Sequence, residues 1–288
     1  MINKFIRDVV NLLIYGGSFI GLCAACITAL SLELTGKTDL YLEYVYFIGA
    51  ATAALYSAHR VIGLRKLEHI KSSERYDVIR QYKTHIWIYC ILWVCITIWL
   101  FIPLANLELI LWLIPGGSIG AAYVIPFLSG KKRLRDLGWG KILMIGWSWG
   151  WLTAFIPLWY FAEAPLQMAI VNGLERMLFI IILTIPFEIR DFKVDQSVGL
   201  ITMPEKLGRR KTYHITLLLC VLTILLSAVI SFHFINPPYT IAMTLTSLIV
   251  VPLLKYSYAI EDDYYFGGLI DGLMIFALVL YTGANFFL

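Results

Sequence analysis

The chain has 288 residues, of which 60% are hydrophobic and only 15% charged, and its mean hydropathy is +0.78. A water-soluble domain carries about 25% charged residues, so this composition excludes a purely soluble globule and calls for lipid around much of the surface. The net charge of +4 excludes little as a total, and its placement along the chain is the informative quantity.

From the N-terminus, Met1 to Asp8 is short and weakly basic. An apolar run of about 20 residues follows, too long for a secretory h-region and without a convincing cleavage site, so it reads as the first span. Apolar stretches long enough to cross a bilayer then recur, predicting spans over 9–30, 42–63, 86–104, 107–128, 140–161, 167–187, 213–235, 240–258 and 267–287. The links after the third, fifth and seventh are a few residues long, so these neighbours pack antiparallel. The expectation is an all-α polytopic membrane protein of about nine helices, one integral domain over 1–288. Its polar connections on one side fall at 64–85, 129–140 and 188–212.

All of the 23 Lys and Arg residues except Lys37 and Arg176 fall on that same side of the predicted topology. By the positive-inside rule that side is cytoplasmic, which puts the N-terminus inside a multi-pass cytoplasmic (inner) membrane protein. Basic residues that follow the membrane rule give no nucleic-acid groove. Cys23, Cys26, Cys90, Cys95 and Cys220 all lie in apolar stretches, which argues against a disulfide framework.

Two segments carry candidate chemistry. If the sixth span continues as a helix past Pro186, then Glu188, Asp191 and Asp195 share one face at i, i+3 and i+7. Oxygen-only ligands suit a hard ion such as Mg²⁺. The alternative is a solvated helix end whose carboxylates pair with Arg190, Lys193 or nearby bases. Closing the fourth span, Tyr123 and Pro126 precede Lys131, Lys132, Arg133 and Arg135. Such a basic group can clamp a polyanionic headgroup or a diphosphate, or simply satisfy the positive-inside rule.

Together the two segments resemble the UbiA-like intramembrane prenyltransferase superfamily. The Tyr-x-x-Pro at Tyr123 with its following basic stretch is similar to that family's helix-four motif. Asp191, Asp195, Gly199, Thr202, Pro204, Leu207 and Gly208 are similar to its second aspartate-rich motif. The resemblance implies Mg²⁺ bound by aspartate-rich motifs, a polyprenyl diphosphate donor and a hydrophobic acceptor that captures an allylic cation. Asp191 and Asp195, with Glu188, would hold the metal, and Arg190 and the basic stretch would face the diphosphate. Trp147, Trp149, Trp151 and Trp159 are candidates to face the cation.

The sequence departs from the family at the end of the second span. Where an aspartate-rich first motif belongs, it has Tyr56, Ser57, Ala58, His59 and Arg60, with no carboxylate between Glu43 and Glu68. His59 and Arg60 become candidate diphosphate contacts instead. The other reading is a non-catalytic homologue that binds a prenyl lipid or a protein partner. Glu175 and Arg176 in the sixth span are expected to be structural; nearer its outer end, snorkelling would remove much of the cost of their charge. Asp271, one turn into the last span, either faces the cytoplasmic pocket or, the favoured reading, sits at a solvated helix start.

Overall fold

The computed structural model describes residues 4–64, 74–125, 140–197 and 202–287. Among these there is no strand, and eleven helices follow one another. They are α1 (Lys4–Tyr15), α2 (Ser18–Glu33), α3 (Leu42–Leu64), α4 (Glu74–Gln81), α5 (Lys83–Phe101) and α6 (Leu107–Val124). Then come α7 (Gly140–Phe161), α8 (Leu166–Ser197), α9 (Met203–Phe234), α10 (Pro237–Tyr256) and α11 (Tyr264–Phe287).

Helices α5 to α11 are each long and apolar enough to cross a membrane, and α1 with α2 forms an eighth, bent span. The expected count of nine is reached only by including α3. Its 23 residues have the length, about 34 Å at 1.5 Å per residue, but His59 and Arg60 in its last turns lower its hydropathy.

The first span, expected as one rod over 9–30, is instead bent by 59° between Tyr15 and Ser18. Gly17 sits there in the left-handed region at φ 79°, a conformation that costs an L side chain roughly 1–2 kcal/mol. A Cβ on it would also lie 2.6 Å from Ser57 Oγ. The Ser57 hydroxyl itself donates to the Gly16 carbonyl at 2.6 Å, satisfying an acceptor that the break exposes.

α8 runs ten residues beyond the span expected at 167–187 and passes through Pro186. At 32 residues it is about 48 Å long, well over the roughly 30 Å hydrocarbon core, so its C-terminal turns emerge from lipid. α9 likewise begins at Met203 and changes direction at Gly208, φ 76° and ψ 161°. The connection expected at 188–212 is therefore largely helical among its described residues.

α7 widens into π-helical turns over Trp151–Phe155 and Pro157–Phe161, and these absorb Pro157, which has no N–H to donate. Most helices adjacent in the chain pack on one another, but α5 and α6, expected to pair across their short link, each pack on α3 instead; α11 returns against α2, closing the ring. Ile27, Leu30, Ile156, Phe179, Ile182, Met243 and Phe266 fill its centre. Ile88, Ile91, Ile98 and Trp99 of α5 stay exposed on the outer face, where lipid covers them.

Candidate active site

The ends of α1, α3, α6, α7, α8 and α11 that lie on the basic side surround one cavity of about 150 Å³. That is several times the ~10–15 Å³ that a single water requires. Each wall grades from charge to hydrocarbon along one helix face. On α8 the lining runs Asp191, Glu188, Thr184, Leu183, Ile180; on α7 it runs Lys141, Ile145, Trp149; on α3 it runs Arg60, His59, Tyr56. The spacing of three and four residues is the helical repeat, so each helix contributes one continuous stripe.

The charged mouth is organised by ion pairs. Arg190 Nε and Nη2 donate to the two oxygens of Asp191 at 2.8 and 3.3 Å, and its Nη1 donates to Asp263 Oδ1 at 2.9 Å. Tyr15 donates its hydroxyl to the other Asp263 oxygen at 2.8 Å. The guanidinium carbon lies 5.0 Å from the ring centres of both Phe187 and Phe266, which fix its plane. Across the mouth Lys141 Nζ meets Glu188 Oε1 at 2.8 Å, both side chains nearly inaccessible. Arg60 donates to the Ile14 carbonyl and lies 5.3 Å from the Tyr15 ring centre. His59 faces Tyr123 with ring centres 5.5 Å apart.

The structure thus brings His59, Arg60, Tyr123, Glu188, Arg190 and Asp191 to one cavity. Asp195 lies one turn beyond Asp191 on α8, but its side chain is outside the described residues, as are Lys131, Lys132, Arg133 and Arg135. Of the four tryptophans only Trp149 reaches the cavity. Trp147 and Trp151 stack on each other in an apolar groove against α8, and Trp159 lines a cavity at the opposite end of the bundle.

Tyr15, Lys141 and Asp263 also line the cavity and are not among the candidates read from the sequence. Lys141 belongs to the basic residues that the positive-inside rule already explains, and Asp263 to an acidic run that a solvated loop explains. Nothing in the sequence singles out Tyr15. Asp271 is not at a solvated helix start; it lines the cavity. Glu175 and Arg176 do not snorkel to water. Both side chains are fully buried inside the bundle, where Ser31, Ser227, Tyr239 and the Ile27 carbonyl bond them.

The structure is a bundle of helices long and apolar enough to span a membrane, enclosing a cavity with a charged mouth and an apolar floor. The architecture is that of the solved UbiA homologues. The structure is similar to the apo UbiA homolog from Aeropyrum pernix K1 with a TM-score of 0.63 at 14% identity, covering 92% of this chain and 96% of that one. It is similar to a UbiA homolog from Archaeoglobus fulgidus with a TM-score of 0.61 at 13% identity, covering 94% and 99%. That homolog has also been solved with GPP and Mg²⁺ and with DMAPP and Mg²⁺. A third similar structure, at TM-score 0.57 and 13% identity over 96% and 99%, concerns digeranylgeranylglyceryl phosphate synthase in membranes. No family model and no curated protein sequence matches the chain.

Mg²⁺ accompanies the diphosphates in those relatives, so its fit here is a question of donors. Among the described residues no group of three or more His, Cys, Asp and Glu side chains converges to hold an ion. Asp191 takes the guanidinium of Arg190, Glu188 takes the ammonium of Lys141, and α3 brings a cation where the family pattern has acid. As arranged, the described donors do not fit a carboxylate cage.

Proposed function

We propose that this protein is a membrane-embedded prenyltransferase with an atypical first half-site, transferring a polyprenyl group from its diphosphate to a hydrophobic acceptor, aromatic or otherwise. The supporting observation is the graded cavity, charged at its mouth and apolar below, in the fold of homologues solved with GPP and DMAPP. In this reading the diphosphate lies toward Arg60, His59 and Arg190. The basic stretch Lys131, Lys132, Arg133 and Arg135, which follows the Tyr123 helix in sequence, completes its approach. The prenyl tail lies toward Ile20, Ile145, Ile180 and Leu183.

The chemistry assigned to the chain is electrostatic. The C1–oxygen bond of the allylic diphosphate breaks, its electron pair leaves with the diphosphate, and preorganised cations stabilise that charge. Arg190 acts as a fork matched to phosphate oxygens, and Asp191 holds the fork in the cavity mouth. Asp191 and Asp195 are the proposed catalytic residues; the resemblance makes them the Mg²⁺ ligands, with Glu188 a lesser candidate, although as arranged Asp191 and Glu188 hold cations. Apolar walls keep water from the allylic cation. Mg²⁺ enters this proposal through the resemblance alone, and no step is routed through it. The site lies on the cytoplasmic face of a cytoplasmic membrane with the N-terminus inside.

A second reading, a non-catalytic homologue that binds a prenyl lipid or a protein partner, is favoured by the neutralised Asp191. Purified protein in nanodiscs, given radiolabelled GPP with Mg²⁺ or EDTA and a panel of acceptors, separates the two. Diphosphate release that disappears in Asp191→Ala supports the transferase, and the EDTA arm reads its metal dependence. GPP binding without release under any of these conditions would sink the transferase and leave the binding protein.

A further inference from the structure

Among the described residues the cavity is lined by the cations Arg60, Lys141 and Arg190 and by the carboxylates Glu188, Asp191, Asp263 and Asp271. Glu188, Asp191 and Asp263 are all in ion pairs. Asp271 is the exception: its carboxylate makes no hydrogen bond or ion pair with the described residues. The charges that it faces are Arg60 and Arg190, and beside it lie Tyr56 and Cys23, whose thiol donates to the Asp271 backbone carbonyl at 3.3 Å.

Its depth is distinctive. Eight residues separate Asp271 from Asp263 at the mouth, at most about 12 Å at helical rise. It neighbours Tyr56, which is one turn of α3 inward from Arg60, where that wall turns from charge to hydrocarbon.

The helix is also irregular at this point. α11 is π-helical from Tyr264 to Ile270 and becomes α-helical at Asp271. Such wide turns cost backbone regularity and recur at functional sites. Here the wide turn contains Gly267, which lines the cavity, and delivers the carboxylate into it. An ionisable residue within a span that faces an internal cavity is costly to keep without a use.

We propose that Asp271 is the catalytic proton acceptor for the acceptor substrate, and that this substrate carries a hydroxyl as its nucleophile. The assignment rests on the prenyl-transfer reading above. The hydroxyl oxygen forms a bond to C1 of the allylic group as the C1–oxygen bond to diphosphate breaks. The electron pair of the broken bond leaves with the diphosphate, and the hydroxyl proton passes to the Asp271 carboxylate. The cations at the mouth attend the leaving group, and Asp271, one level deeper, attends the nucleophile.

The experiment follows radiolabelled GPP in nanodiscs with phenols and glyceryl ethers as acceptors, counting transfer product, free diphosphate and prenyl alcohol separately. Asp271→Asn is expected to lower transfer by about 100-fold or more, the usual contribution of general acid–base catalysis. Diphosphate release continues, the prenyl group appears as alcohol, and the KM for GPP is unchanged. Asp271→Glu restores part of the transfer, and if the Asn variant fails to fold, the Glu variant still shows product shifted toward alcohol. Transfer and release falling together, or transfer unaffected, would overturn the assignment. If wild-type protein releases no diphosphate, the transferase reading fails and the assignment falls with it. If wild-type turns over only acceptors that lack a hydroxyl, the assignment alone fails.

Discussion

Replacing Arg176 by Met tests whether the buried pair on α8 holds the bundle together. Arg176 and Glu175 are both fully inaccessible, with Nε 3.8 Å from Oε2. Arg176 also donates to the Ile27 carbonyl and Ser31 of α2 and to Tyr239 of α10. Glu175 accepts from Ser227 of α9 at 3.1 Å and Tyr239 at 3.0 Å. One cluster thus ties four helices.

Arg176→Met keeps much of the volume but leaves Glu175 without its cation. Breaking one partner out of a buried pair costs about 3–5 kcal/mol. Hydrogen bonds between neutral side chains of membrane helices average only about 0.6 kcal/mol, whereas every bond described here has a charged partner. The charge term therefore dominates. A double variant, Glu175→Leu with Arg176→Met, removes both charges and is expected to recover most of the loss, because apolar replacement of a buried pair is often neutral or stabilising.

The assay is reversible unfolding in mixed SDS micelles followed by circular dichroism, run as a double-mutant cycle. A loss below about 1 kcal/mol for Arg176→Met, or a double variant as unstable as the sum of the singles, would refute the reasoning, because contacting charges must couple.

Two further outcomes are expected at the cavity. Arg190→Lys keeps the charge but loses the two-pronged contact and the stacking between Phe187 and Phe266. Charge-assisted hydrogen bonds contribute about 1.5–3 kcal/mol, so GPP affinity should fall by roughly 10- to 100-fold, measured by filter binding; unchanged affinity would separate Arg190 from the diphosphate. Trp149→Ala should lower prenyl-donor turnover while Trp147→Ala leaves it intact, since only Trp149 lines the cavity. Equal losses would place the role of both in helix packing.

The membrane class and the rough number and order of spans could be read from the sequence, because hydrocarbon selects for long apolar runs whatever their neighbours are. The helical face of Glu188, Asp191 and Asp195 was legible once α8 was taken through Pro186, since helical spacing is a local property. The bend at Gly17 was not, because its left-handed turn is held by Ser57 of another helix. Nor was the partner of each charge: Lys141 and Glu188 are 47 positions apart yet meet at 2.8 Å, and Asp263 and Asp271 reach the cavity only because α11 closes the ring against α2. Hydropathy and spacing report how each helix sits in lipid or presents one face. Which faces converge, and so whether a carboxylate meets a cation or stands alone as Asp271 does, is decided by packing between helices far apart in the chain.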